Sequence, residues 1–180
     1  MQLPTPPAWA QKLNTDGSVS PQDCVLPHFK AIKITKKFGE ELGLSCAYRQ
    51  HLMTNSPNQF LHGYALGVEM TFLVERLDTR DWVVDLGWDD WAPLGNMLRV
   101  MFAHKTLVAI DDPALDQFRT MHELGLCRLL IVPATGCEAF SAMVHADVSL
   151  WLEEKFKDGA VRLLNVVVSE HGAYSAQCEG

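Results

Sequence analysis

One stretch limits the fold of this chain more than any other. From Tyr64 to Val74 the residues Tyr64, Leu66, Val68, Met70, Phe72 and Val74 fall on one side of a period of two, with Glu69, Thr71 and Glu75 on the other. Side chains alternate across a β-strand, so this pattern predicts a strand with one buried and one polar face. At 11 residues it is long for a strand. Leu77 to Asp81 read as a turn that returns the chain into Trp82, Val83, Val84 and Asp85, an antiparallel hairpin. A hairpin of that length cannot leave both its edge and its second face in water. Closing the sheet against copies of itself removes the edges, so a barrel-forming oligomer in which this strand pairs across subunits is expected.

The flanking segments complete an α+β plan. Phe29–Phe38 and Leu42–Arg49 read as strands, and Leu126–Val132 and Val161–Glu170 as two more. Trp91, Leu94, Leu98, Met101 and Phe102 have helical spacing, with Asp89 and Asp90 in the first turn where the helix dipole favours carboxylates. Asp112-Pro113 reads as an N-cap and first helical residue, with Gly125 stopping that helix. Phe140, Val144, Val148, Trp151 and Leu152 mark a third helix that ends near Asp158-Gly159. An antiparallel sheet with helices on one face satisfies this order. Residues 1–27 are rich in proline and polar residues and read as an arm, leaving 28–180 as one domain.

Composition narrows the function. The 180 residues are 48% hydrophobic and carry a net charge of −7, which excludes a nucleic-acid surface built on clustered Lys and Arg. Lys33, Lys36 and Lys37 read as the solvated side of a strand. No apolar run reaches the ~18 residues of a membrane span, and the first ten residues lack the basic-then-apolar order of a signal peptide. Five cysteines with no CxxC pair argue against a disulfide framework and a thiolate zinc site. A cytoplasmic protein with reduced thiols is expected.

Six short motifs then stand in a telling order. They are Ser45-Cys46-Ala47-Tyr48-Arg49, Leu61-His62-Gly63-Tyr64, Val84-Asp85-Leu86, Phe102-Ala103-His104-Lys105-Thr106-Leu107, Cys137-Glu138 and Ser169-Glu170. In sequence and placement they resemble the Ser-Ala-Ala-His-Arg, His-Gly-His, Val-Asp-Phe, Leu-Asp-His-x-x-Leu, Glu-Asn and Glu-Thr motifs of the 6-pyruvoyl- and 6-carboxytetrahydropterin synthases. The resemblance spans roughly residues 29–175. It implies the T-fold, a four-stranded antiparallel sheet with two helices on one face, joined edge to edge into barrels, commonly stacked trimers, hence a homo-hexamer. It also implies a pterin ligand and a zinc ion on three histidines that polarises the side chain of dihydroneopterin triphosphate. A cysteine base, an Asp-His pair and a pterin-anchoring glutamate complete the family site. Zinc is a Lewis acid, a thiolate is a mobile base near neutral pH, and a carboxylate accepts two N–H groups of a pterin.

Several of those positions differ here. Tyr48 and Tyr64 stand where two zinc histidines would be, and His62 keeps the third. His51, in the adjoining loop, is a candidate replacement ligand beside His62. Asn58 stands at the base cysteine, and Ala103 at the Asp of the Asp-His pair, while His104 remains. A phenol ionises near pH ~10, so Tyr48 and Tyr64 read equally as packed, hydrogen-bonded side chains. The proton-transfer candidates are therefore His104 and Tyr64. Glu170 ends a strand face otherwise carrying Val166 and Val168, where a carboxylate needs a partner, and a pterin ring supplies one. Cys137 and Glu138 open a helix whose N–H groups can meet the far edge of that ring. Three functions stay open: a 6-carboxytetrahydropterin synthase-like lyase on the route to 7-deazaguanine bases (queuosine, preQ0), a pterin- or purine-binding protein without turnover, and a structural oligomer that keeps only the fold.

Overall fold

The computed structural model describes residues 29–77 and 88–180, and the compact body is Ala31–Gly180. In chain order the strands and helices are β1 (Ile32–Phe38), β2 (Ser45–Tyr48), β3 (His62–Ala65), β4 (Gly67–Val74), α1 (Trp88–Phe102), β5 (Lys105–Ala109), α2 (Leu115–Glu123), β6 (Leu129–Val132), α3 (Cys137–Lys155), β7 (Val161–His171) and β8 (Tyr174–Glu179). They form two four-stranded sheets, ordered β1-β4-β7-β8 and β3-β2-β5-β6. The first is antiparallel throughout. The second is mixed: β3 is antiparallel to β2, while β2, β5 and β6 run parallel.

The alternation read from the sequence is the alternation observed. Leu66, Val68, Met70, Phe72 and Val74 are buried, while Thr71 and Glu69 are partly exposed. The buried face of the first sheet shares one core with Trp91, Leu94 and Leu98 of α1 and with Phe140, Val144 and Val148 of α3. Phe72 meets Trp91 at 4.8 Å between ring centroids. On the opposite face Thr35 stands across from Thr71, and Lys37 pairs with Glu69 at 2.6 Å. Helices on one face and polar residues on the other are the α+β plan expected from the sequence.

The long strand is not continuous within one sheet. It breaks at Leu66, whose N–H bonds to the Leu44 carbonyl at 2.9 Å. Its first part pairs with β2, and its second part pairs with β1 and β7. Gly67 sits at this corner because a Cβ there would come within 2.7 Å of Ser169 Oγ. One expectation therefore changes. The strand was to pair across subunits, but β4 is flanked on both edges within the chain, and β1 and β8 form the edges of its sheet.

Other differences have local causes. α2 starts two residues later than expected, at Leu115, but the Asp112 carboxylate still accepts the Ala114 N–H at 2.8 Å in the turn that leads into it. That carboxylate is also held by Arg49. Gly125, in a left-handed conformation (φ 74°), follows the end of that helix as expected. The expected strand Trp82–Asp85, the Val84-Asp85-Leu86 motif and the arm 1–27 lie outside the described residues. No helix among the described residues is long and apolar enough to cross a membrane.

Candidate functional site

The site is built where the two sheets meet. Antiparallel pairing sets Tyr48 opposite His62 and Cys46 opposite Tyr64. Residues two apart share a strand face, so this register gathers Tyr48, His62 and Tyr64 on one side. Their ring centroids lie 5.0 Å (Tyr48–His62), 5.4 Å (His62–Tyr64) and 6.3 Å (Tyr48–Tyr64) apart. The positions matched to the family's zinc histidines thus converge, with two phenols in place of two imidazoles.

Glu170 enters from β7. The pairing of β7 with β8 shifts between Ser169 and His171, an irregularity that leaves Glu170 unmatched across the ladder. A bulge re-aims the extra residue and its neighbour. The Glu170 carboxylate accepts a hydrogen bond from the Tyr48 hydroxyl, so the bond ties β2 of one sheet to β7 of the other. Tyr48 is fully buried, edge-on to Phe140 at 5.1 Å. Burial, then the hydrogen bond to Glu170, then the charge of Glu170 push the phenol above its ordinary range, so Tyr48 is a fixed donor.

Cys137, in the first turn of α3, belongs to the same neighbourhood. Burial first, then the Glu170 charge and a hydrogen bond to Glu170, raise its thiol to about 12. Burial and the charges of Cys137 and Glu170 raise Cys46 to about 12 as well. Neither is a thiolate base near neutral pH. Glu138, next to Cys137, is exposed at the helix start.

His62 donates its Nδ1–H to the Phe60 carbonyl at 2.7 Å, which leaves Nε2 with a lone pair. His171 is the residue that sequence reasoning missed. Its ring lies 5.6 Å from Tyr64 and 5.1 Å from Tyr174. With Glu170 it lines an open groove of about 560 Å3 along Ala65, Gly67 and Ser169. Its one sequence signal was adjacency to Glu170, which regular strand alternation would have turned to the opposite face.

His104 and His51 lie elsewhere. His104 has a left-handed backbone (φ 56°) after α1, donates its main-chain N–H to Ser45 at 2.7 Å, and is exposed. No described contact joins its ring to Tyr64 or Glu170. His51 sits 3.8 Å from Asp111 and 3.9 Å from Asp112 rather than beside His62. Asn58, at the base position, is exposed and donates to the Gln50 side chain at 3.2 Å.

The zinc implied by the resemblance does not fit these residues. Zinc sites take imidazoles, thiolates or carboxylates. Here the convergent set offers one imidazole, a phenol whose proton is committed to Glu170, and a second phenol. Among the described residues no group of three His, Cys, Asp or Glu is placed to hold a metal.

The loop that carries His51 is anchored by charge. Arg49 binds Asp112 through two hydrogen bonds, Nε to Oδ2 at 2.8 Å and Nη2 to Oδ1 at 2.5 Å. The Arg49 carbonyl accepts from Thr135 at 2.6 Å, and Asp112 Oδ1 accepts from the Ala114 N–H at 2.8 Å. The hydrogen bond from Arg49 holds the Asp112 carboxyl below its ordinary range. A depressed carboxyl contributes stability that is present above its unfolded value near ~3.9 and is lost as pH falls through the folded value. Asp112→Ala is predicted to cost about 3 kcal/mol in urea denaturation at pH 7, because it strands the Arg49 charge. The difference from wild type should shrink on acidification below the ordinary carboxylate range. An equal cost at pH 7 and in acid would contradict the assignment.

Known proteins of the same shape place this arrangement. A pattern described as 6-pyruvoyl tetrahydropterin synthase matches residues 34–180, most of the chain. An uncharacterized protein from Wolinella succinogenes superposes with a TM-score of 0.63 at 16% identity, covering 83% of this chain and 98% of its own. The Plasmodium falciparum 6-pyruvoyl tetrahydropterin synthase gives 0.59 at 11% identity, covering 84% and 99%. A catalytic-residue mutant of the Plasmodium vivax enzyme gives 0.58 at 11%, also covering 84% and 99%. No curated protein matches. With a matching pattern over most of its length and the T-fold of those structures, the chain belongs to the 6-pyruvoyl tetrahydropterin synthase family.

Proposed function

We propose that this protein binds a pterin-type heterocycle at Glu170. The observation that carries this reading is the carboxylate itself: fixed by the Tyr48 hydroxyl, set at a strand irregularity, and lining an open groove. An ionised carboxylate has about four acceptor positions, and Tyr48 uses one. The others suit the amino and ring N–H groups of a pterin. The N–H groups of the first turn of α3, at Cys137 and Glu138, are the donors for the ring's far side. Calorimetry with neopterin tests this. Glu170→Ala is predicted to lose binding while circular dichroism stays native, and undiminished affinity would sink the proposal.

A second reading is favoured by His62 and Tyr64 standing beside Tyr48, where a ligand side chain would lie. In it the protein is a 6-carboxytetrahydropterin synthase-like lyase acting on dihydroneopterin triphosphate in 7-deazaguanine synthesis, with Tyr64 and His104 moving protons. Zinc takes no part in either reading, because the donor set lacks two imidazoles. Purified protein is predicted to hold substoichiometric zinc, and the double variant Tyr48→His, Tyr64→His to bind it tightly. One zinc per chain in the unaltered protein, found by elemental analysis, would overturn this.

Assembly follows from the sheet edges. With β4 internal, the strands left for a second copy are β1 and β8, and joining them would close the first sheet into a barrel. The reading is a homo-hexamer of stacked trimers. Light scattering at micromolar concentration is predicted to give a hexameric mass, and a monomer would exclude it.

A further inference from the structure

The geometry points to His171 as a second ligand-reading residue, whose Nε2–H donates to a carbonyl oxygen beside the N–H edge that Glu170 accepts. The inference rests on the proposal that Glu170 binds a heterocycle. Three observations carry it. First, the ladder irregularity between Ser169 and His171 brings two consecutive residues to one groove, and both line it. A regular strand would send them to opposite faces. Second, the tautomer is set. The Ala173 N–H donates to His171 Nδ1 at 3.2 Å, so Nδ1 carries the lone pair and the ring proton sits on Nε2. Third, the ring is held between Tyr64 and Tyr174, edge to face at 5.6 and 5.1 Å, although its surroundings are open.

The groove therefore offers an acceptor at Glu170 next to a donor at His171. The complement is a donor–donor–acceptor edge: an amino N–H, a ring N–H and a carbonyl oxygen in a row. Fused 2-amino-4-oxo pyrimidines carry that edge, in pterins and in guanine alike. A 2-amino-3,4-dihydropteridine keeps the amino N–H and the ring N3–H for Glu170, has a methylene in place of the carbonyl, and presents nothing at that position for His171 to donate to. No bond is made or broken and no proton is transferred, so His171 acts in recognition only.

The test is calorimetry on the full chain at pH 8 with neopterin, guanine and 2-amino-3,4-dihydropteridine. Neopterin and guanine titrated side by side separate a pterin from a purine ligand. For whichever binds more tightly, His171→Phe is expected to weaken binding about tenfold, a typical share for one well-made hydrogen bond. Phenylalanine keeps the contacts with Tyr64 and Tyr174, so packing alone would not produce this loss. His171→Gln, which restores an N–H donor at similar reach, is expected to recover most of the affinity. Binding of 2-amino-3,4-dihydropteridine, which keeps the donors for Glu170 but lacks the acceptor, should change less than about twofold. If His171→Phe leaves the oxo ligand unaffected, or weakens both ligand types equally, the inference is overturned while Glu170-dependent binding stands. If Glu170→Ala binds as the wild type does, the underlying proposal fails and this inference with it.

Discussion

The structure depends on one strand that serves two sheets. The chain from His62 to Val74 pairs first with β2 and then, past Leu66, with β1 and β7. Because side chains keep a period of two through the corner, one pattern specifies both the buried wall under α1 and α3 and the face carrying His62 and Tyr64. A slip of one residue would turn Met70 and Phe72 to the polar side and move the ring cluster out of register with Tyr48. Packing of the core and alignment of the site are thus the same constraint. Gly67 permits the turn because Ser169 stands where a side chain would be.

What was legible in the sequence follows from which elements obey a period. β4 alternates cleanly, β7 alternates on either side of a register shift near Leu164, and α1 and α3 carry broad apolar stripes, so their existence was readable. β5 was not: four of its five residues are buried, as expected of a parallel strand covered on both faces, and it shows no alternation. β8, Tyr-Ser-Ala-Gln-Cys-Glu, alternates Tyr174, Ala176 and Cys178 with Ser175, Gln177 and Glu179, but its apolar face is small and largely exposed, so its signal is weak. The mixed second sheet depends on the silence of β5 and on pairing between distant segments. Asp112 was legible as the residue that caps the turn into α2, but not as the partner of Arg49, which lies 63 positions away.

Positions in the site were more legible than their chemistry. The motif matches singled out Tyr48, His62, Tyr64, Cys137 and Glu170, and the fold brings them together. Their partners were invisible, since a Tyr48–Glu170 contact spans 122 residues. His171 was hidden for a different reason. Alternation assigns it to the face opposite Glu170, and only an irregularity in pairing reverses that. Loops gave the weakest signal: His51 is close to His62 in sequence, yet an acidic pair on the β5–α2 connection takes it.

The exchange of histidine for tyrosine at position 48 is more than the loss of a ligand. A phenol carries its polar atom farther from the backbone than an imidazole does, and here that reach spans from β2 to a carboxylate on β7. The hydroxyl, raised by burial, stays protonated, and so do the thiols of Cys46 and Cys137 at about 12. Glu170 therefore stands beside neutral groups, and the Tyr48 hydroxyl donates to it. A buried network of this kind holds its geometry only if every member is satisfied. A three-histidine site achieves rigidity by gathering lone pairs around a cation. This one achieves it by gathering protons around an anion, and an anion so fixed is complementary to N–H donors.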